Sequence, residues 1–169
     1  MQEPPKLTNE AERLSSLSSF KIMDTGPEPR YDELIELAAF LAHTPMAAIS
    51  FINEDRQWFK STIGFSLVST TRATSFCGHT LAASSTMVVG DTLADSRFAD
   101  NPFVIDDPLV RFYAGVPLTV DNGQHIGSLC VMDTRPRTFL SDERRALEIL
   151  ARQAVAQLEV QRYRADGSN

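Results

Sequence analysis

Arg111-Phe112-Tyr113-Ala114-Gly115-Val116-Pro117-Leu118-Thr119-Val120, then Asp121-Asn122-Gly123-Gln124, then His125-Ile126-Gly127-Ser128-Leu129-Cys130-Val131-Met132 reads as two extended runs folded about a turn. Asn-Gly between β-rich runs signals a hairpin, because a type I′ turn requires positive φ at both central residues and these two tolerate it. Phe112, Ala114, Val116 and Leu118 share one face, and Tyr113, Gly115 and Pro117 share the other, so neither face is polar. That is the pattern of central strands covered on both sides. Pro117 brings no N–H to a ladder, which calls for an irregular or unpaired position there.

The flanking sequence must supply both covers. On the N-terminal side, residues 1–8 read as a mobile tail. Asn9 and Glu12 then form a capping-box pattern, and Ala11, Leu14 and Leu17 recur at helical spacing to about Ser19. After Thr25-Gly26-Pro27-Glu28-Pro29, acids at Asp32, Glu33 and Glu36 open a second helix whose buried stripe is predicted as Leu34, Leu37, Ala38 and Leu41; it ends near His43, before Pro45. Met46 to Ile52 and Arg56 to Ile63 are strands joined by a polar turn. Gly64 to Thr74 shows no periodicity and reads as a loop. Cys77 to Ser84 makes two helical turns, and Thr86 to Gly90 a third strand. From Asp91 to Pro108 runs a long irregular connection with acids at Asp91, Asp95, Asp100, Asp106 and Asp107; ordered connections of that length are often functional. Beyond the hairpin, a long helix is predicted from about Asp142 to Arg164, followed by a mobile tail over 165–169. Antiparallel hairpins bracketed by helices make an α+β sheet rather than alternating parallel units.

Composition narrows the function classes. A chain of 169 residues is expected to form one domain, 9–164, with a proper core. No apolar run reaches the ~20 residues of a membrane span, and Met1-Gln2-Glu3-Pro4-Pro5 lacks the order of a signal peptide, so a cytoplasmic, non-membrane protein is expected. A net charge of −6 argues against nucleic acid as a partner, since phosphate binding needs a clustered basic surface. Cys77 and Cys130 are too few for a disulfide framework or a four-thiolate zinc site, and both are expected to stay reduced.

Several motifs together carry a family resemblance. Asp91-Thr-Leu-Ala-Asp95-Ser-Arg97-Phe98-Ala-Asp-Asn101-Pro102-Phe-Val104, Arg111 to Leu118, and Gly127-Ser-Leu129-Cys130-Val131-Met-Asp133 resemble the GAF domain. More narrowly they resemble bacterial GAF domains that precede histidine kinase, diguanylate cyclase or PAS modules, as do Ser75-Phe76-Cys77-Gly78-His79-Thr80 and Arg56-Gln57-Trp58-Phe59-Lys60. The likeness runs from about Arg13 to Arg162. It implies a GAF-like, PAS-related antiparallel sheet with the N- and C-terminal helices on one face. The resemblance further implies that the other face, beneath the short helix and long connection, carries the family's small-molecule pocket. No output domain follows within these residues, so the chain reads either as free-standing or as part of a longer sensor.

The resemblance sets the candidate chemistry. Free methionine-(R)-sulfoxide reductases are GAF domains, and Cys77-Gly78 resembles one of their cysteine positions. Their sulfoxide-attacking cysteine lies in the connection before the hairpin, however, and this chain has no thiol between Asp91 and Pro108. Sulfoxide reduction passes through a sulfenic acid that a second thiol resolves, and Cys130, on a central strand, reads as poorly placed for that. In bilin photoreceptors a cysteine followed directly by histidine holds the pigment; here Gly78 separates Cys77 from His79. The Asn-Lys-Phe-Asp-Glu signature of cyclic-nucleotide-binding GAF domains does not lie onto these residues. His43, His79 and His125 fall on separate elements, so no metal site is expected.

A ligand pocket drawing on Trp58, Cys77, His79, Asp91, Arg97, Phe98, Arg111, Phe112 and Tyr113 is the candidate site. Arg97 and Arg111 suit an anion, although pairing with the five nearby acids is the stronger reading. The aromatic residues could line a pocket, but in a half-buried sheet they are more often plain core. On the last helix, Leu147, Leu150, Ala151, Ala154 and Leu158 form a stripe toward the sheet, and Ile149, Gln153, Ala156, Val160 and Tyr163 form a second with heptad spacing. That second stripe reads as a homodimer seam or as a surface covered by the first helix. The function expected is a sensory or regulatory domain that is not itself an enzyme, binds an unknown small molecule, and passes the signal through its terminal helices to an output domain or a partner kinase or cyclase. A sulfoxide reductase and a ligand-free dimerisation scaffold are the alternatives.

Overall fold

The computed structural model describes residues 1–168. Its strands are β1 (Met46–Ile52), β2 (Arg56–Ile63), β3 (Ser69–Thr71), β4 (Met87–Val89), β5 (Phe112–Thr119) and β6 (His125–Asp133). They form one antiparallel sheet in the order β3-β2-β1-β6-β5-β4. The helices are α1 (Glu10–Phe20), α2 (Pro29–Ala42), α3 (Phe76–Ala83), α4 (Pro102–Ile105) and α5 (Ser141–Gly167). This is the α+β arrangement expected, with α1, α2 and α5 on one face of the sheet and α3 with the connection on the other. β3 lies where a loop was predicted; three Ser and Thr residues are too short a run for alternation to register.

Each face of the sheet has its own core, and strand alternation decides which side chain joins which. Phe51, Trp58, Phe112, Leu129 and Val131 point toward the terminal helices and meet Leu17, Tyr31, Ile35, Leu147, Leu150 and Leu158. Met46, Ala48, Tyr113, Cys130 and Met132 point the other way and meet Phe76, Leu81, Phe98 and Val104. The double burial of β5 and β6 is therefore as their sequence requires. Pro117 lies beyond Gly115, the last β5 residue that β4 reaches, so one side of the strand is open at the missing N–H.

The turn departs from expectation. Only Gly123 has positive φ, at 83°, and Val120 accepts from the Gly123 N–H at 2.9 Å while its own N–H donates to Gln124 at 3.0 Å. This is a three-residue loop closed by a left-handed glycine, not a type I′ turn. Asn122 stays out of the positive-φ region, as the middle residue of such a loop does, and its side chain accepts from the Gln124 N–H and donates to Ser16 Oγ at 3.3 Å.

Two helices turn a different face inward from the one predicted, and a third runs longer. Asn9 makes no side-chain cap and donates instead to Gln124 Oε1 at 2.6 Å, and the buried face of α1 carries Arg13 in place of Ala11. In α2, which starts at Pro29 as a proline at the first helical turn should, Tyr31, Ile35, Ala38 and Ala42 are buried while Leu37 and Leu41 stay exposed. The apolar residues of α2 exceed what one face can bury, so periodicity alone mis-set its phase. α5 continues through Gly167, past the predicted end at Arg164, and Asn169 of the expected tail lies outside the described residues. Its sheet-facing stripe is the predicted one. At the other end, residues 1–8 lie across α3 and the connection, with the Gln2 N–H donating to the Arg97 carbonyl at 3.1 Å.

Candidate functional site

On the sheet face away from α1, α2 and α5, a cavity of about 40 Å³ remains beneath α3 and the connection. Phe59, Phe65, Phe76, Phe103 and Met132 enclose it, Leu67 stands half-exposed at its rim, and Tyr113 and Cys130 of the sheet line it together with Cys77 of α3. That volume takes water or a molecule a few atoms larger. A nucleotide or a tetrapyrrole would require the cover to move.

The cover is held by short-range chemistry. Ser75 caps α3, its Oγ accepting the Gly78 N–H at 3.1 Å and donating to the Arg72 carbonyl at 2.6 Å, which sets Cys77 in the first turn above the sheet. Asn101 caps α4 through the Phe103 N–H at 2.9 Å and ties it to the Thr74 carbonyl at 3.0 Å. Thr92 is bonded through both its N–H and its hydroxyl to Arg111 and Val110, at 2.9 and 2.8 Å, so the connection is pinned to the start of β5. The acids of the connection serve these ties. Asp95 holds Arg97 with both oxygens, at 3.0 and 2.6 Å, and Asp91 holds Arg111 at 3.1 Å.

The floor is a compact set of polar groups in apolar surroundings. The Tyr113 hydroxyl donates to Cys77 Sγ at 3.2 Å and shares a 2.7 Å bond with Thr80 Oγ1. A Cβ at position 115 would stand on that hydroxyl, so Gly115 keeps the room it needs. Cys130 lines the same cavity, and its thiol, followed by the Tyr113, Ser50 and Ser128 hydroxyls, draws the Cys77 pKa below its ordinary value against the opposing effect of burial. The Cys77 thiol and burial raise Cys130, and burial raises Tyr113.

Nine residues were candidates for the pocket, and the structure separates them. Cys77 and Tyr113 line the cavity. Trp58 and Phe112 do not: both project toward the terminal helices, because alternation puts Gln57, Phe59 and Tyr113 on the cavity side instead. Phe98 and His79 pack edge to face beside the cavity, with His79 Nε2–H donating to the Gln2 carbonyl at 3.1 Å and burial lowering its pKa. Asp91, Arg97 and Arg111 are the ion pairs just described, outside the cavity. Cys130, read as poorly placed to help Cys77, lines the same cavity, since residue 130 falls on the same side of β6 as Ser128 and Met132. Phe59, Cys130 and Met132 were within reach of strand alternation once Tyr113 was assigned to the pocket. Phe65, Leu67, Thr70 and Thr74 were not, because their aperiodic stretch gives no orientation. The second stripe of α5 is exposed along its whole length rather than covered by α1.

Among the described residues, no helix is long and apolar enough to cross a membrane, and no three His, Cys, Asp or Glu side chains cluster as metal ligands.

Comparison with known proteins adds the following. A family model for the GAF domain matches residues 10–158. A cyclic di-GMP phosphodiesterase of Pseudomonas aeruginosa is 36% identical over 163 residues, which is 96% of this chain and 28% of that protein. The chain thus spans little more than a quarter of that relative's length. Among solved structures, the GAF domain of an Acinetobacter phosphoenolpyruvate-protein phosphotransferase superposes with a TM-score of 0.64 at 16% identity, over 90% of this chain and 94% of that one. Free methionine-R-sulfoxide reductase from Neisseria meningitidis, in complex with its substrate, superposes with a TM-score of 0.63 at 19% identity, over 96% and 98%. At those identities the likeness is one of fold.

Proposed function

The chain belongs to the GAF domain family, and on that premise we propose that it is a cytoplasmic sensory domain in which a small molecule entering the cavity shifts the sheet and the terminal helices transmit the shift. One observation carries the reading. β5 and β6 line the cavity through Tyr113, Cys130 and Met132, and the same strands hold α5 through Phe112, Leu129 and Val131. The two environments are one strand's thickness apart, and a ligand that fits one sheet geometry better than another biases both.

The likeness to a cyclic di-GMP phosphodiesterase supports an output domain that turns over a signalling nucleotide, with this domain as its regulator and not its catalyst. The outer stripe of α5, Ile149, Gln153, Ala156, Val160 and Tyr163, supports pairing with a second copy. Native mass spectrometry of the purified protein tests the central point. A retained small molecule that disappears when Tyr113 is replaced by Trp, which fills the cavity, is the expected result. Bare protein under all expression and growth conditions would favour the scaffold reading instead.

A further inference from the structure

Cys77 and Cys130 are both buried, both line the same cavity, and belong to the one core cluster on that side of the sheet. Around Cys77 the neighbouring polar groups are all neutral: the Tyr113 hydroxyl donates to it at 3.2 Å, that hydroxyl also meets Thr80 at 2.7 Å and Ser128 at 3.5 Å, and the Cys130, Ser50 and Ser128 groups add to the pull on its pKa. A thiol gains little from several donors because sulfur is a weak acceptor, whereas a thiolate in an apolar enclosure needs them in place of water. Peptide-sized and anionic reagents are shut out by the aromatic walls. A small neutral molecule is not, and the cavity volume matches one.

We propose that Cys77 and Cys130 are a redox-active dithiol, oxidised to a disulfide by hydrogen peroxide or a comparably small hydroperoxide that enters the cavity. In the first step the Cys77 thiolate attacks a peroxide oxygen. The O–O bond breaks as the S–O bond forms, and the departing hydroxide takes up the proton that the thiol gave up, leaving as water and Cys77 as a sulfenic acid. In the second step the Cys130 sulfur attacks Cys77, the S–S bond forms as the S–O bond breaks, and hydroxide leaves with the Cys130 proton as a second water. The thiol pair loses two electrons and the peroxide gains them. Cys77 is the attacking sulfur because the donors converge on it; Cys130, raised by the same contact, is the resolving one. The Tyr113 hydroxyl is positioned to steady the thiolate and to pass a proton on through Thr80.

The test is a thiol count on the purified, fully reduced chain after equimolar hydrogen peroxide, with alkylation under denaturing conditions, intact-mass measurement and peptide mapping. The expected product has lost two hydrogens, resists alkylation at both cysteines, and yields a peptide linking 77 to 130. Cys130→Ser should stop one step earlier, with one added oxygen at Cys77 that dimedone captures. Cys77→Ser should leave Cys130 reduced. Tyr113→Phe, which keeps the ring packing, should slow oxidation by about tenfold, the rate equivalent of a hydrogen bond to a charged sulfur. If both thiols of the wild type still alkylate, or Cys130 oxidises equally fast without Cys77, the proposal is wrong. Should a cysteine variant not fold, the wild-type peptide map and Tyr113→Phe decide alone. These readouts follow sulfur and not ligand retention or helix pairing, so their failure leaves the sensory reading intact.

Discussion

Glu10 shows how much of this structure rests on single charged residues whose sequence context gives no hint of it. Its carboxylate holds Arg13, which is fully buried, at 2.8 and 3.1 Å, and also Arg72 from the far side of the sheet edge; Arg13 reaches on to the Ile52 carbonyl at 2.7 Å. Burial alone would raise the Glu10 pKa, but the hydrogen bonds and charges of the two arginines outweigh it and hold the value down to about 2. The folded value lies below the ordinary 4.5, so Glu10 contributes stability above pH 4.5 that is lost as pH falls toward 2. Glu10→Gln should therefore cost about 2–4 kcal/mol in urea unfolding at neutral pH, since it leaves two guanidinium groups short of a partner. The gap between wild type and variant should close near pH 2; a gap independent of pH would mean that packing, not charge, is lost. A second expectation at this scale is that the chain does not reduce free methionine-(R)-sulfoxide in a thioredoxin-coupled assay, because no thiol lies in the connection and a whole amino acid exceeds the cavity. Turnover abolished by Cys77→Ser would overturn the assignment.

Among elements, α3 and the connection form the cover, and their stability is local. Ser75→Ala should cost about 1 kcal/mol, the usual worth of an N-cap, and loosen the first turn that carries Cys77. If the connection closes over the cavity, a bound ligand should slow amide exchange from Asp91 to Pro108 and at Phe112 and Tyr113, because ordering a cover removes its local openings. Protection confined to residues 1–8 would count against this. Strands and helices with a strong period were legible: β1, β2, β5, β6 and α5 sit where alternation or helical spacing predicts them. What escaped was set by tertiary competition. Asn9 spends its amide on the hairpin loop and not on its own helix, α2 has more leucine than one face can bury, and β3 exists only because β2 offers it an edge. At the site, Cys77 and Tyr113 could be named from sequence, but Trp58 and Phe112 were assigned to the wrong side because motif likeness says nothing about which face a residue takes.

For the whole molecule, the outer surface of the terminal helices is the feature that asks for a partner. Ile149, Val160 and Tyr163 are 38%, 44% and 81% exposed, and Phe40 of the neighbouring α2 is 72% exposed. A short seam with Ala and Gln among its members supports association in the micromolar range, roughly 8 kcal/mol. Sedimentation equilibrium should show a reversible dimer for the wild type and a monomer for Ile149→Glu/Val160→Glu. If both are monomeric at high micromolar concentration, α5 is not a pairing surface and the transmission route proposed here loses its physical basis.

The three-residue loop at the hairpin tip has a mechanical consequence. It is gripped from both sides, by α1 through Asn9 and Ser16 and by α5 through Arg162, which binds Asp121 at 3.0 Å. At the opposite end of the same β-ribbon lies the cavity floor, about 20 Å away at the rise of an extended chain. A hydrogen-bonded ribbon resists stretching far more than it resists tilting, so it behaves as a stiff beam with its load at one end and a clasp at the other. Were a ligand to tilt the ribbon where Tyr113 sits, the clasp would pass that tilt to both helices at once as a sideways push.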